Sequence, residues 1–200
     1  MIRLMLAEDQ TLVRAALAAL LRLEGDIEVV AEATRGDEIV PRALASRPDV
    51  ALVDIELPGG DGLTAAAALR AALPACRVII LTTFGRPGYL RRALEGQALG
   101  FMVKDAPPDQ LVAAIRRVMA GDRVVDPVLA AAALAEPNPF SPREREVLRL
   151  VGAGRSTGEI ADTLSLSEGT VRNYLSIAMQ EVGARSSYEA AQRAERQGWL

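Results

Sequence analysis

The chain has 200 residues, half of them apolar, a formal charge of −3, one cysteine and no histidine. That length allows one or two domains, and the apolar share suffices for a core in each of two small ones. The single Cys76 excludes an internal disulfide and fits a reducing cytosol; the missing histidine excludes histidine triads, most zinc and iron sites, and service as a phosphohistidine donor.

No apolar run is long enough to span a bilayer. Met1–Asp9 turns acidic before a signal-peptide pattern can develop, so the expected location is cytoplasmic. Lys104 is the only lysine among 23 basic residues. Strands are predicted at Ile2–Ala7, Glu28–Ala33, Val50–Asp54, Val78–Thr82 and Gly100–Val103. Between and after them lie helical stretches at Thr11–Leu23, Gly36–Ala45, Leu63–Leu73, Tyr89–Leu94 and Pro108–Ala120, with Ala16, Leu17, Leu20 and Leu21 at helical spacing. Such an alternation over residues 1–120 implies a doubly wound α/β domain: a five-stranded parallel sheet with helices on both faces.

Residues 121–139 read as an Ala-rich linker with one short helix, Pro127–Leu134. Residues 140–200 read as purely helical. Ser141-Pro142-Arg143-Glu144 is a capping box with proline at the first helical position, and Ser156-Thr157-Gly158-Glu159 is a second. Ser167 caps a third helix running to about Val182, and a last helix runs from Ser187 to Arg196. The short break Leu164-Ser165-Leu166 makes the second and third helices a helix-turn-helix candidate.

Ligands of open parallel sheets bind beyond the carboxyl ends of the strands. Four polar features fall there: Glu8-Asp9, Asp54, Thr82 and Lys104. An aspartate can accept a phosphoryl group as an acyl phosphate. The charge this brings beside Glu8, Asp9 and Asp54 calls for a hard divalent cation, and magnesium prefers carboxylate, carbonyl and water oxygens. Lys104 can neutralise one phosphoryl oxygen, and Thr82 can donate a hydrogen bond to another. Each residue taken singly has a plainer reading. Glu8-Asp9 suits a helix N-terminus, Asp54 a turn, Thr82 a strand end, and Lys104 a solvated surface. The joint pattern favours the site.

Residues 1–120 resemble a response-regulator receiver domain, which has a flavodoxin-like fold. The matching stretches are Ala7-Glu8-Asp9, Val53 to Gly62, Leu81-Thr82-Thr83 and Gly100 to Asp105. The resemblance implies that Asp54 accepts phosphate from a sensor histidine kinase. It implies a Mg2+ ion held by Glu8, Asp9, Asp54 and the backbone carbonyl of Glu56. It also makes Thr82 and Phe101 a switch pair, although Phe101 reads equally well as a core aromatic. The Gly- and Pro-containing segment Phe84–Leu90 is a candidate reporting loop.

Residues 140–200 resemble the LuxR-type helix-turn-helix of the NarL/FixJ class, through Ser141 to Leu148, Glu159-Ile160-Ala161, Leu166 to Tyr174 and Gly198-Trp199-Leu200. Thr83 to Tyr89 and Arg172 to Ser176 are similar to the subgroup regulating membrane-lipid desaturases. By this resemblance the third helix enters the major groove of double-stranded DNA. Arg172 and Asn173 suit guanine and adenine edges, Ser176 a base or phosphate, and Thr170 a phosphate. Val171, Leu175 and Val182 are expected to face the core. With eight arginines and eight acidic residues, the 140–200 segment is formally neutral. Glu181, Ser187 and Thr157 stand where the family usually has lysine, arginine and asparagine. One isolated domain is therefore expected to bind DNA weakly, and a homodimer formed on phosphorylation to bind it well.

Three rival readings exist. A phosphatase using an aspartyl nucleophile needs a second aspartate two residues on, where this chain has Glu56. A nucleotide-binding domain needs a Gly-rich loop after the first strand, where Glu8-Asp9-Gln10-Thr11-Leu12 has none. A protein-interaction module without DNA function fits the neutral second segment. The expectation is a regulator rather than an enzyme.

Overall fold

Val50, Ala51, Leu52 and Val53 are wholly buried. Burial on both faces explains why strand β3 (Val50–Asp54) is an unbroken apolar run rather than an alternating one. The computed structural model that gives this fold describes residues 1–83, 86–127, 129–131 and 138–200. Residues 84 and 85 of the candidate reporting loop lie outside the described residues, as do 128 and 132–134 of the expected linker helix. Residues 127 and 129–131 of that helix are helical. The chain divides into two compact units, residues 1–85 with 90–131 and residues 86–89 with 132–200.

In the first unit β3 is flanked by β1 (Ile2–Ala7) and β4 (Arg77–Thr82). β2 (Ile27–Ala33) lies beyond β1, and β5 (Gly100–Val103) beyond β4. All pairings are parallel. The five expected strands are present, and the sheet gains a sixth, β6 (Val124–Val125), paired with β5. The five-strand expectation is thus corrected to six. Two valines inside an apparent linker carry no periodicity by which to find a strand.

Alternate strand residues point to opposite faces. Leu4, Leu6, Val50, Leu52, Ile79, Leu81 and Met102 form one face. It packs on Ala18 and Leu21 of α1 (Thr11–Arg22) and on Leu111, Ile115 and Val118 of α5 (Pro108–Met119). The intervening Met5, Ala51, Val53, Val78, Ile80 and Phe101 are buried as well. α2 (Gly36–Ser46) and α3 (Gly62–Ala72) pack against the strands. A fully buried Leu or Ile contributes roughly 1.5–3 kcal/mol, so these apolar faces hold the helices. Arg116, which bridges Asp26 and Glu24 at 2.7 and 2.8 Å, is exposed and screened by water. Cys76 is fully buried, and that burial pushes its thiol up to about 11. Among the described residues no helix is long and apolar enough to cross a membrane.

Glycines shape the loop between β3 and α3. Gly59 has φ +74°, which favours glycine. The Gly36 amide donates to the Pro58 carbonyl at 2.9 Å, fastening this loop to the start of α2. At Gly62 a Cβ would lie 1.9 Å from the Asp54 carbonyl oxygen. Asp61 caps α3, accepting from the Leu63 and Thr64 amides at 3.4 and 3.2 Å. It also pairs with Arg92 of α4 (Pro87–Glu95). Further along, Gly100 lies so close to Ile79 that a Cβ there would stand 2.7 Å from the isoleucine side chain.

The second unit contains α6 (Pro142–Gly152), α7 (Thr157–Leu164), α8 (Glu168–Glu181) and α9 (Ser187–Arg196). Both expected capping boxes form, at Ser141 with Glu144 and at Ser156 with Glu159, and Ser167 caps α8. Ser165 ends α7 at φ +54°, and Arg143 donates to the Leu164 carbonyl at 2.6 Å. The core gathers Val147, Leu148, Ile160, Val171, Leu175, Ala178 and Ala190. The Phe140 ring meets Trp199 edge-on, with centroids 5.8 Å apart. Val171 and Leu175 are buried and Val182 packs against the cluster, as their spacing predicts.

Gly62→Ala is expected to destabilise the chain by about 1–3 kcal/mol, the usual range for overpacking. Urea unfolding measures this, and an unchanged midpoint would mean that the loop has room for a methyl group.

Candidate functional sites

The first site is assembled by four strand ends, those of β1, β3, β4 and β5. Lys104, one residue beyond β5, donates its backbone N–H to the Thr82 carbonyl at 2.8 Å, so the ends of β4 and β5 are tied together. Its Nζ lies 2.6 Å from Glu8 Oε2 and 2.9 Å from Asp54 Oδ2. Neither contact is aligned as a hydrogen bond; both are contacts between charges. Oxygens of Glu8, Asp9 and Asp54 lie within 4.8 Å of one another. Glu8 and Asp54 are buried while Asp9 is exposed. Leu17, Leu20 and Leu111 help line a cavity of about 110 Å³ that also borders Lys104, giving it an apolar wall.

Burial pushes the Glu8 carboxyl above its ordinary value; Lys104 opposes this, and the neighbouring Asp54 charge adds to it. Burial also raises Asp54, against the pull of Lys104 and of the Glu56 and Ile55 amides. For Lys104 burial works against the charge, but the Glu8 and Asp54 carboxylates outweigh it and the ammonium holds its proton more tightly. Three carboxylates thus share one cation. All the offered donors are oxygens, and Glu8 Oε2 is buried without an aligned donor. This set fits a hard divalent ion.

Glu8 lies just before α1 but does not cap it, since the cap position is Gln10 and no side-chain cap hydrogen bond forms there. Glu8 Oε1 accepts from the Gln10 amide at 3.1 Å, while Oε2 faces Lys104. Thr82 is buried at the end of β4. Phe101 is buried too, and its β5 register opposite Ile80 sets it on the same sheet face as Thr82, which lies opposite Val103. Glu56 is exposed.

Two supports escape a reading of the sequence. Arg14 of α1 donates to the Glu8 and Asp9 carbonyls at 2.8 and 3.2 Å and pairs with Glu32 at 3.3 Å. Its only local signal is an arginine among alanines and leucines, and α1 carries a second at Arg22. Arg92 reaches Asp61 across 31 residues of chain, a contact that leaves no local pattern.

The second site is the outer face of α8. Arg172, Asn173 and Ser176 are exposed, with Val171, Leu175 and Ala178 buried behind them. The expected spacing therefore holds: three polar groups share a solvent face. Ile177 is exposed beside them, an apolar position that the sequence reading passes over. Thr170 is half-buried, and its hydroxyl lies 2.9 Å from that of Ser167, so it belongs to the helix cap. Arg172 pairs with Glu168 of the same helix.

Comparison with known proteins bears on both sites. The response regulator receiver domain family matches residues 4–116. The luxR family of bacterial regulatory proteins matches residues 138–194. Transcriptional regulatory protein DesR of Bacillus subtilis is 44% identical over 200 residues, all of both chains. Response regulator RamR of Streptomyces coelicolor is 39% identical over 201 residues, 100% of this chain and 98% of its own. Among solved structures, response regulator ChrA of a heme-sensing two-component system is 34% identical with a TM-score of 0.60, covering 100% of this chain and 98% of that one. Likeness of this extent, running through both domains, makes the chain a two-component response regulator of the NarL/FixJ class, a DNA-binding regulator of transcription.

Proposed function

We propose that phosphorylation of Asp54 gates DNA binding by changing valency. The observation that carries this reading is the Lys104 ammonium, held 2.6 Å from Glu8 and 2.9 Å from Asp54 in a pocket with one cation too few. Residues 1–120 act as the receiver, 121–139 as a linker, and 140–200 as the DNA-binding domain. The donor is a sensor histidine kinase: an Asp54 carboxylate oxygen attacks the phosphorus of its phosphohistidine, the acyl-phosphate P–O bond forms as the P–N bond breaks, and the kinase imidazole leaves. Glu8, Asp9, Asp54 and the backbone carbonyl of Glu56 would hold magnesium, which supplies charge neutralisation. Lys104 meets one phosphoryl oxygen, and the Thr82 hydroxyl donates to another.

The added group carries about −1.5 to −2 charges. Thr82 moves toward it and Phe101 follows, a coupling supported by their shared sheet face on adjacent strands. Receivers then pair as a symmetric homodimer. Two weak DNA-binding domains reach two half-sites, and tethering raises the effective concentration of the second contact. At each half-site α8 enters the major groove. Arg172 and Asn173 meet base edges, while Ser176 and Thr170 lie toward the backbone. Exposure of Arg172, Asn173 and Ser176 supports this reading. For Thr170 the contact would have to share a hydroxyl already engaged by Ser167. The cytoplasm is the proposed location, in keeping with a DNA partner and a free Cys76 thiol.

The valency idea is tested by sedimentation with beryllofluoride and magnesium, with and without duplex DNA. The wild-type chain should shift from monomer to dimer and bind DNA more tightly. Asp54→Ala should do neither, and tight DNA binding by that variant would refute the gate.

A stability test follows from burial. Glu8 and Asp54 both hold protons above the ordinary carboxylate range. That stabilising effect is present below about pH 4 and lost as pH rises through the raised values. The Lys104 effect persists until pH climbs past its own raised value, above ~10.4. At pH 7.5 in EDTA, Asp54→Asn should therefore melt higher than wild type, by roughly 4 °C for each 1 kcal/mol relieved. Magnesium should raise the wild-type melting point more than that of the variant. A variant melting at or below wild type in EDTA would contradict the assignment of surplus charge.

For the second site, Arg172→Ala should relax base preference at one position of each half-site, with a loss of about 1–3 kcal/mol in discrimination. Selection from a randomised duplex pool measures it. Unchanged preference would remove α8 as the reading helix.

A further inference from the structure

Arg172 does not face solvent alone. It pairs with Glu168, four residues earlier and one turn up the same helix. Glu168 is the first residue of α8 after the Ser167 cap. Its other carboxylate oxygen, Oε1, would stand 3.7 Å from a Cβ on Gly158, so it leans over the first turn of α7. The positive end of the α7 dipole favours a carboxylate there. Glu168 thus pairs with an arginine of its own helix and lies near the N-terminal turn of the preceding one. In water an exposed i,i+4 pair contributes little to folding, so its stabilising effect does not explain it.

The consequence appears when DNA arrives. A free arginine on a groove-facing helix has two competing targets: phosphate oxygens, which carry charge but no sequence, and the neutral O6 and N7 acceptors of guanine. A carboxylate in contact with the guanidinium alters that competition. A phosphate approaching Arg172 also approaches Glu168, and like charges repel as water is displaced. A guanine edge brings no net charge and meets a far smaller penalty. The guanidinium has five donors, and a contact with one carboxylate leaves enough for a bidentate approach to a base.

We infer that Glu168 is a positioning and specificity residue that turns Arg172 away from the DNA backbone and toward the base edge. This rests on the reading of Arg172 given above. It also assigns a role to the neutral composition of the segment. Arg143 and Arg193 likewise pair with acids on their own helices, at 2.5 and 2.6 Å from Glu146 and Glu189, and Arg155, just before α7, pairs with Glu159 of that helix at 3.3 Å. The Arg172 pair is the one set among the exposed polar side chains of α8.

The test uses the full chain treated with beryllofluoride and magnesium. Two probes are titrated by fluorescence anisotropy between 50 and 200 mM KCl: a duplex enriched by the wild-type chain from a randomised pool, and a mixed-sequence duplex. Glu168→Gln keeps the shape and removes the charge; Glu195→Gln on α9 removes one charge elsewhere as a control. For Glu168→Gln the mixed-sequence duplex should bind about fivefold tighter, with the slope of log K against log salt steeper by about 0.9, one extra phosphate contact. The ratio of enriched to mixed affinity should fall about fivefold or more. A purely structural role would move the melting temperature but not the salt slope. The inference is overturned if Glu168→Gln changes slope and ratio no more than Glu195→Gln does. Failure of the underlying reading is separate: Arg172→Ala would then leave base preference unchanged. If Arg172→Ala relaxes preference and Glu168→Gln does not, the role of Glu168 alone falls.

Discussion

One ammonium holds the acidic pocket of the first unit together. Glu8 and Asp54 are buried side by side, and burial by itself pushes both toward the neutral acid. Lys104 is the opposing force, in contact with both carboxylates. A compact point charge suits that position better than a planar fork would. The chain uses arginine at each of its other basic positions, so the lysine marks a place where shape decides. Lys104 balances only part of the negative charge. What remains is the surplus that the proposed divalent ion and phosphoryl group would meet.

Much of this was legible before any coordinates. Apolar runs that stop at Asp54 and Thr82, and polar residues just past Ala7 and Val103, mark strand ends because a buried strand has no other reason to turn polar. Serine followed three residues later by glutamate marks helix starts, since both side chains satisfy amides that the helix leaves open. The remainder was hidden for physical reasons. β6 has two residues and no period. Gly62 reads as one of several loop glycines, yet it alone touches the Asp54 carbonyl so closely. Arg14 and Arg92 act through contacts with backbone or with a distant carboxylate, and neither leaves a pattern in neighbouring residues. The Thr170 hydroxyl also lies 2.9 Å from that of Ser167, a local contact that its place in the sequence does not announce.

The two units handle charge differently. The first concentrates an excess of negative charge at one rim of a sheet, where it can be neutralised by an ion and then renewed by a phosphoryl group. The second spreads positive charge over its helices and answers several arginines with an acid one turn away. A domain built this way gains little from the general attraction of a polyanion. On the proposed reading its affinity comes from shape, from base edges and from being held in pairs.

The four residues of β5 carry a constraint at each end. Gly100 is pressed against Ile79, and Lys104 follows the last residue into the acidic pocket. A slip of this strand by a single place would put Phe101 where only a hydrogen fits and would bring Asp105 to the place of Lys104, setting a fourth carboxylate among three. Steric collision and electrostatic repulsion therefore reject the same error. The chemistry of the pocket doubles as a proofreading device for strand pairing, so the residues that serve signalling also guard the fidelity with which the sheet assembles.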